Sequence, residues 1–306
     1  MSNIYVIVEH FKGQVEDITY EMIGKAKELG DVTAVLIGAK DLAGHLGGAS
    51  KVICVDDAAL VEFNPQAYCK VVDAVVAAGS PDMVLVGNTS MGMDIAAGLS
   101  VSQNMPLVAY ATDISAGSVV SQLYGGKMNV ESSVSGACVV SVLAGSFPAA
   151  AGKGDGSPAV EDMAAPDLSG LSVKFRKLIE PEGGDVDITS QEILVSAGRG
   201  IQNEDNLPMV EELAGKLGGA VSCSRPIVDN KWLGKTRQVG KSGLKVKPKL
   251  YLALGISGAP EHIEGMKDAG LIIACNTDPN APIFEYAHYG CTADLFDLIP
   301  ALSAKM

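Results

Sequence analysis

Five short segments in the second half of the chain concentrate the residues that could do chemistry. They are Leu194-Val-Ser-Ala-Gly-Arg-Gly200, Ser224-Arg225, Gln238-Val-Gly-Lys-Ser-Gly243, Gly255-Ile-Ser-Gly258 and Asn276-Thr-Asp-Pro279, with His262 just after the fourth. Each joins a turn to hydroxyl, amide or guanidinium groups, and most follow apolar runs. Glycine lets backbone N–H groups approach a phosphate closely, and arginine can grip one through two parallel hydrogen bonds. Such turns at the carboxyl edge of a parallel sheet hold a phosphate-bearing cofactor. No nucleophile, base and acid stand at a recognisable spacing, and Ser224 and Ser257 lie outside any G-x-S-x-G elbow. The block reads first as a cofactor site and only second as a catalytic one.

Taken singly, the motifs differ in weight. Gly198-Arg-Gly200 could be an ordinary turn between strand and helix; Arg199 tilts it toward an anion. Gly255-Ile-Ser-Gly258 says more, because it ends an apolar strand and leads into the helix that carries His262. Gly240-Lys-Ser-Gly243 imitates a P-loop, yet five residues rather than four separate Gly234 from Gly240. The segment also leads into a strand, where a P-loop opens a helix. His10, His45 and His288 have no ligand partners at metal-site spacing and read as surface residues, and Met91 and Met93 read as core.

The elements that must position these segments follow from periodicity. Continuous apolar runs predict strands over 4–8, 32–37, 52–55, 83–86 and 138–143, with helices over 20–29, 65–78 and 91–103 between them. Tyr68, Val71, Val72, Val75 and Val76 recur at helical spacing, so one face of that helix packs on a sheet. Strands this apolar are buried on both faces, as in a parallel sheet. Residues 147–170 have loop composition, and 173–179 alternate like an edge strand. Order resumes with a strand at 193–196, a helix over 205–217, a strand over 249–254, a helix over 260–268, a strand over 271–275 and a final helix from 293. The expected fold is α/β in two domains, each a doubly wound, mostly parallel sheet. The first covers 1–187; the second covers 188–306 and carries the cofactor turns.

Composition narrows the partners. The 306 residues carry a net charge of −13 with few aromatics, which argues against nucleic acid. The charge is uneven, with 11 basic against 23 acidic side chains over 1–190 and 12 against 13 over 191–306. Lys231, Lys235, Arg237, Lys241, Lys245, Lys247 and Lys249 crowd around the Gly240 turn; the run reads as a solvated face or as one turned to phosphates. The six cysteines include no C-x-x-C pair, a reduced and cytoplasmic pattern. A strand begins at Ile4, leaving no room for a targeting peptide, and neither long uncharged stretch makes a convincing membrane span.

Together these residues resemble the α subunit of electron transfer flavoprotein. The segment 194–200 is similar to the family's V-S-G-G-R-G, Ser224-Arg225-Pro-Ile-Val-Asp229 to S-R-x-x-V-D, and 238–243 to Q-V-G-Q-[ST]-G. Leu254–Gly258 with His262 resembles G-I-S-G-x-x-Q-H, and Asn276–Phe284 resembles N-x-D-P-x-A-P-I-F. Tyr289-Gly290 and Ala293-Asp-Leu-Phe296 resemble the closing motif, while Val86–Gly92 and Tyr124-Gly-Gly126 match more loosely in the first half. The likeness spans the chain.

The resemblance implies a heterodimer whose β subunit carries AMP, or a second FAD in electron-bifurcating members that act on NADH. It implies FAD in a flavodoxin-like or Rossmann-like C-terminal domain and a first domain that packs against the β subunit. Electrons then pass from dehydrogenases, commonly acyl-CoA dehydrogenases of fatty acid oxidation, to a membrane quinone reductase, and the chain is a carrier rather than an enzyme. It assigns Arg225, Ser242 and His262 to the flavin ring, with Gln238, Val239, Gly240, Lys241 and Gly243 in the same loop. Arg199, Ser224 and Ser257 fall near the pyrophosphate, Asn276 and Asp294 toward the ribose and adenine, and Gly255, Gly258, Asp278 and Leu295 also among the cofactor contacts. No metal is implied. The chemistry agrees: a donor or cation beside the ring stabilises its reduced, negatively charged forms. Lys241 and Glu261 stand where the family usually has Gln, and Thr277 where it often has Lys, so the flavin potential does not carry over.

Overall fold

The computed structural model describes residues 2–124, 126–178 and 186–305. The chain separates into two compact units, Met1–Lys177 and Leu178–Met306. The boundary expected at 187/188 lies a little further on, beyond residues 179–185, which are outside the described set.

The first unit contains strands β1 (Ser2–Ile7), β2 (His10–Phe11), β3 (Gln14–Val15), β4 (Gly30–Ile37), β5 (Lys51–Val55), β6 (Met83–Gly87), β7 (Leu107–Ile114), β8 (Ser118–Leu123), β9 (Met128–Ser133), β10 (Cys138–Val142) and β11 (Ala159–Asp162). Its helices are α1 (Asp17–Leu29), α2 (Pro65–Gly79) and α3 (Ser90–Ser102). Among the described residues, nine strands form one sheet in the order β11-β5-β4-β1-β6-β10-β7-β8-β9. Pairing is parallel from β11 to β7 and antiparallel across β7-β8-β9.

Alternation within single strands explains the two-sided core. Ile4, Val6, Ala34 and Leu36 pack with Met22, Ile23 and Ala26 of α1. Their neighbours Tyr5, Ile7, Val35 and Ile37 face the other way, onto Val71 and Val75 of α2 and Ile95 and Leu99 of α3. Both sheet faces are therefore covered, as the uniformly apolar strands require. The start of α2 is set by Asn64, whose side-chain oxygen accepts from the backbone of Gln66 and Ala67, with Pro65 in the first turn.

Glu9, just beyond β1, is buried. Its Oε1 accepts from Thr89 Oγ1 at 2.9 Å, and Thr89 also caps α3 by accepting from Gly92 N. Burial pushes the Glu9 carboxyl up to about 7, against the opposing Thr89 hydrogen bond and Gly87 backbone, with Glu16 adding repulsion.

Three expectations need correction here. The stretch 107–133 forms the β7-β8-β9 meander, which the periodicity did not signal. Its strands are short of buried residues and polar on one face, as in Met128–Ser133, where no residue is buried. The segment 173–178 is not a strand; the edge beside β5 is taken by β11 instead, from within the expected loop. Val173 and Phe175 are exposed, and the Val173 backbone is held by the side chains of Gln66 and Asn64 rather than by a ladder. Residue 179 lies outside the described set.

The second unit contains β12 (Ile193–Ala197), α4 (Leu207–Lys216), β13 (Ala220–Cys223), α5 (Arg225–Asp229), β14 (Leu250–Leu254), α6 (Pro260–Ile263), β15 (Leu271–Cys275), β16 (Tyr289–Cys291) and α7 (Leu295–Ser303). The sheet order is β13-β12-β14-β15-β16, parallel throughout. Val195, Ala197, Leu252 and Leu254 pack under α4 and α7, through Val210, Leu213, Leu295 and Ile299. Leu194, Tyr251 and Ala253 face the opposite side, onto Ile263 and Met266. The chain thus winds outward from β12 in both directions, which makes the edge beside β12 and β14 a topological switch point, where this class of sheet binds ligands.

The short strands β13 and β16 have too few residues to show a period. The helix expected over 260–268 stops at Ile263. Beyond it Gly265 N donates to His262 O and Met266 N to Ile263 O, tightening the chain into turns. Gly265 there lies flat on the Gly240 loop, and a Cβ would stand 2.4 Å from Gly240 N. The final helix begins two residues late, at Leu295, because Asp294 caps it by accepting from Phe296 N.

Candidate cofactor site

Four turns leave the carboxyl edge of the second sheet side by side. Gly198 to Gly200 follow β12, Ser224 follows β13, Gly255 follows β14 and Asn276 follows β15. Backbone bonds lock them together: Gly198 N to Leu254 O at 2.8 Å, Gly200 N to Gly255 O at 3.0 Å, Ser224 N to Ala197 O at 3.0 Å and Gly255 N to Cys275 O at 2.9 Å. The glycines permit this proximity, since a Cβ on Gly200 would lie 2.6 Å from Gly255 Cα. Gly258 adopts φ +86, and a Cβ there would meet Ile283 N at 2.3 Å.

A loop from Gln238 to Leu244 closes over one side. Gln238 is buried and its Nε2 donates to Ser242 Oγ at 3.0 Å. Gly243 N donates to Gly240 O at 2.9 Å, and Lys241 N donates to Glu261 O at 2.7 Å, which ties the loop to α6. No helix follows Ser242, so the P-loop likeness ends there.

Between these parts lies a cavity of about 630 Å³. Arg199, Ser224, Arg225, Gln238, Val239, Gly240, Lys241, Ser242, Gly255, Ser257, Gly258, His262, Asn276 and Asp278 all line it. Gly243 does not; it shapes the loop from behind. Asp294 and Leu295 line a second cavity of about 270 Å³, which shares Gly200, Gly255 and Asn276 with the first. One Asp294 oxygen is already engaged as the α7 cap. Of the seven clustered basic residues, Lys241 borders the first cavity, while Lys245 pairs with Asp268 at 3.4 Å and Lys249 with Glu192 at 2.7 Å. Asp229 and Glu261 also border it, although neither was a candidate; Asp229 stands 3.4 Å from Arg225 Nε, one helical turn away. The S-R-x-x-V-D spacing was the signal that could have found it.

His262 is a buried member of the wall, 6% exposed. Its Nε2 lies 2.9 Å from Tyr251 Oη. Its Nδ1 is buried with no hydrogen-bond partner among the described residues. Burial drives the imidazole pKa down to about 4, so the ring is neutral at neutral pH, although the nearby Val239 backbone works weakly the other way. A buried acceptor or donor left without a partner costs about 1–3 kcal/mol. His262 lines the cavity, so its ring is near any ligand that enters it.

The profile of the electron transfer flavoprotein domain matches residues 4–168, and that of the electron transfer flavoprotein FAD-binding domain matches residues 187–267. The electron transfer flavoprotein subunit alpha of Methylophilus methylotrophus is 36% identical, over 100% of this chain and 99% of its own length. The chain belongs to the electron transfer flavoprotein α-subunit family. The subunit alpha of Syntrophomonas wolfei is 32% identical, again over 100% of this chain and 99% of its own. The lactate dehydrogenase (NAD(+),ferredoxin) subunit LctC of Acetobacterium woodii is 33% identical, over 98% of this chain and 75% of its own. Family membership makes this an electron-carrying, flavin-binding subunit. The residues fit that cofactor: two cavities with shared lining residues at a sheet edge, cations and hydroxyls as donors, and a buried, neutral His262 in the wall. Among the described residues no helix is long and apolar enough to cross a membrane.

Proposed function

We propose that residues 188–306 form a domain that holds FAD across the β12–β14 edge and that the chain works as one half of a heterodimer with an electron transfer flavoprotein β subunit. The observation that carries this reading is the cavity at the switch point, lined by a buried His262 whose Nδ1 has no hydrogen-bond partner among the described residues. Bound FAD supplies reversible one- and two-electron chemistry; the chain supplies the surroundings that set how readily it is reduced. In this reading Arg225, Ser242 and His262 serve the ring system, within the loop of Gln238, Val239, Gly240, Lys241 and Gly243. Arg199, Ser224, Gly255, Ser257 and Gly258 receive the pyrophosphate, and Asn276, Asp278, Asp294 and Leu295 the ribose and adenine. Donor groups cluster where negative charge must be held, and the neutral His262 can become a cation when reduction adds charge nearby.

The carrier takes electrons from flavin dehydrogenases, such as acyl-CoA dehydrogenases, and delivers them to a membrane quinone oxidoreductase. It operates in the cytoplasm, which the reduced-type cysteine pattern supports. A second reading, a subunit of an electron-bifurcating complex that oxidises NADH, is favoured by the likeness to the Acetobacterium woodii subunit. Co-purification with the β subunit, followed by nucleotide quantitation, separates the two. One FAD and one AMP per heterodimer supports the simple carrier, and two FADs the bifurcating complex. A heterodimer without flavin overturns both.

Arg225 gives the sharpest single-residue check of the ring assignment. Its guanidinium borders the cavity and is largely exposed in this chain. Arg225→Ala is expected to make reduction of the bound flavin harder, by about 1–3 kcal/mol for one charge-assisted contact. Redox titration of the heterodimer reads this directly. An unchanged midpoint potential removes Arg225 from the ring's surroundings.

A further inference from the structure

Behind His262 a strip of buried hydroxyls crosses the second sheet. Tyr251 on β14, Ser196 on β12 and Ser222 on β13 are all fully buried. Ser196 and Ser222 stand opposite each other in the β12–β13 ladder. Tyr251 Oη donates to Ser196 Oγ at 2.7 Å and lies 2.9 Å from His262 Nε2. A phenol carries one proton. With that proton directed to Ser196, the 2.9 Å contact needs its proton from the imidazole, so Nε2–H donates to Tyr251 Oη. The neutral ring then has a bare lone pair at Nδ1, the buried atom with no partner among the described residues.

We propose that Tyr251, itself held by Ser196, is a positioning residue for His262: it keeps the imidazole proton on Nε2 and leaves Nδ1 as the atom that takes a proton when negative charge enters the cavity. The proposal deepens the reading of this cavity as an FAD site and rests on it for its functional consequence. Once Nδ1 is protonated, both ring N–H groups have work, Nε2–H toward Tyr251 and Nδ1–H toward the added charge. The Val239 backbone also favours the protonated ring, while burial opposes it. The charged groups that share the cavity wall are Arg199, Arg225, Asp229, Lys241, Glu261 and Asp278. On the core side stand the Tyr251 phenol, whose ionisation burial strongly disfavours, and Cys223 on β13. Among the described residues no carboxylate contacts Nε2, so the hydroxyl strip, beside the Val239 backbone that also bonds the ring, and not an ion pair, biases the tautomer. A tautomer is set by the hydrogen bond that the other ring nitrogen makes.

The test is nitrogen NMR of the heterodimer with this chain labelled at histidine, His262 being assigned by His262→Gln. In the parent, Nε2 is expected to show the shift of a protonated nitrogen and Nδ1 that of a bare one. Ser196→Ala, made together with Ser222→Ala because both serines bond the phenol, removes the acceptors for its proton, so Tyr251 should turn that proton to Nε2 and reverse the tautomer to Nδ1–H. Tyr251→Phe should give a mixture of tautomers and weaken the pH dependence of the flavin midpoint potential. Tyr68→Phe, which removes a buried hydroxyl from the other unit, should leave both readouts unchanged and so controls for loss of a buried phenol. A parent with Nδ1–H, or an unchanged His262 pattern in the folded double-serine and Tyr251→Phe variants, overturns the proposal. Failure of the FAD reading looks different: the heterodimer would then lack flavin, while the tautomer and its reversal in the double-serine variant would persist.

Discussion

Gly258→Ala should destabilise the C-terminal unit by about 3 kcal/mol and lower its retention of FAD. Two costs combine. A residue with a Cβ held at φ +86 is strained by about 1–3 kcal/mol, and a group forced into a packed site costs a similar amount. The clash is with backbone, 2.3 Å from Ile283 N and 2.6 Å from Ile283 Cα, so no side chain can rotate away. Relief requires parting the Gly255–Gly258 turn from the Ala281–Ile283 turn, whose Ile283 N donates to Ser257 O at 3.0 Å. That would move one cavity wall. Gly218→Ala is the matched control, because Gly218 also has positive φ, at +69, but open space where the Cβ would go. Thermal unfolding of both variants, with flavin content, decides the matter. Equal destabilisation would mean that the Ile283 contact yields and that strain alone is at work.

Glu9→Gln should stabilise the protein at pH 8 by up to about 3 kcal/mol and leave it nearly unchanged near pH 4. The direction follows from linkage. The folded carboxyl titrates at about 7 against an ordinary 4.5, so the folded state holds its proton longer than the unfolded chain does. Stability from this group is fully present below pH 4.5 and is lost as pH rises through 7. A shift of that size corresponds to about 1.4 kcal/mol per pH unit across the window. Glutamine keeps an oxygen that can accept from Thr89 Oγ1 and never ionises, so it removes the loss. Urea unfolding at pH 4 and pH 8, compared between variant and parent, reads the difference. A variant no more stable than the parent at pH 8 would show that the Glu9 charge is better solvated than its burial implies.

Runs such as 83–86 and 271–275, and the Val71–Val76 spacing of α2, announced their elements because apolar periodicity is a local record of which face is buried. The glycine turns with Arg199, Arg225 and Ser257 likewise pointed to an anion site and their motifs to a flavin family, and the structure gathers them around one cavity. Strand order was not local. Only the folded sheet brings the ends of β12, β13, β14 and β15 to one edge, because parallel pairing joins segments as far apart as Ile193 and Leu250. The meander of β7, β8 and β9 escaped notice because its polar strands gain stability from ladder partners rather than from their own apolar stripe. The alternation at 173–178 misled for the converse reason: among the described residues it meets no ladder partner, and the Val173 backbone is held by the Gln66 and Asn64 side chains instead. Tyr251 shows the same division at one residue. By sequence it is one more apolar position in a buried strand. A buried phenol must find a partner, and only the tertiary structure decides that this partner is Ser196 on one side and His262 on the other.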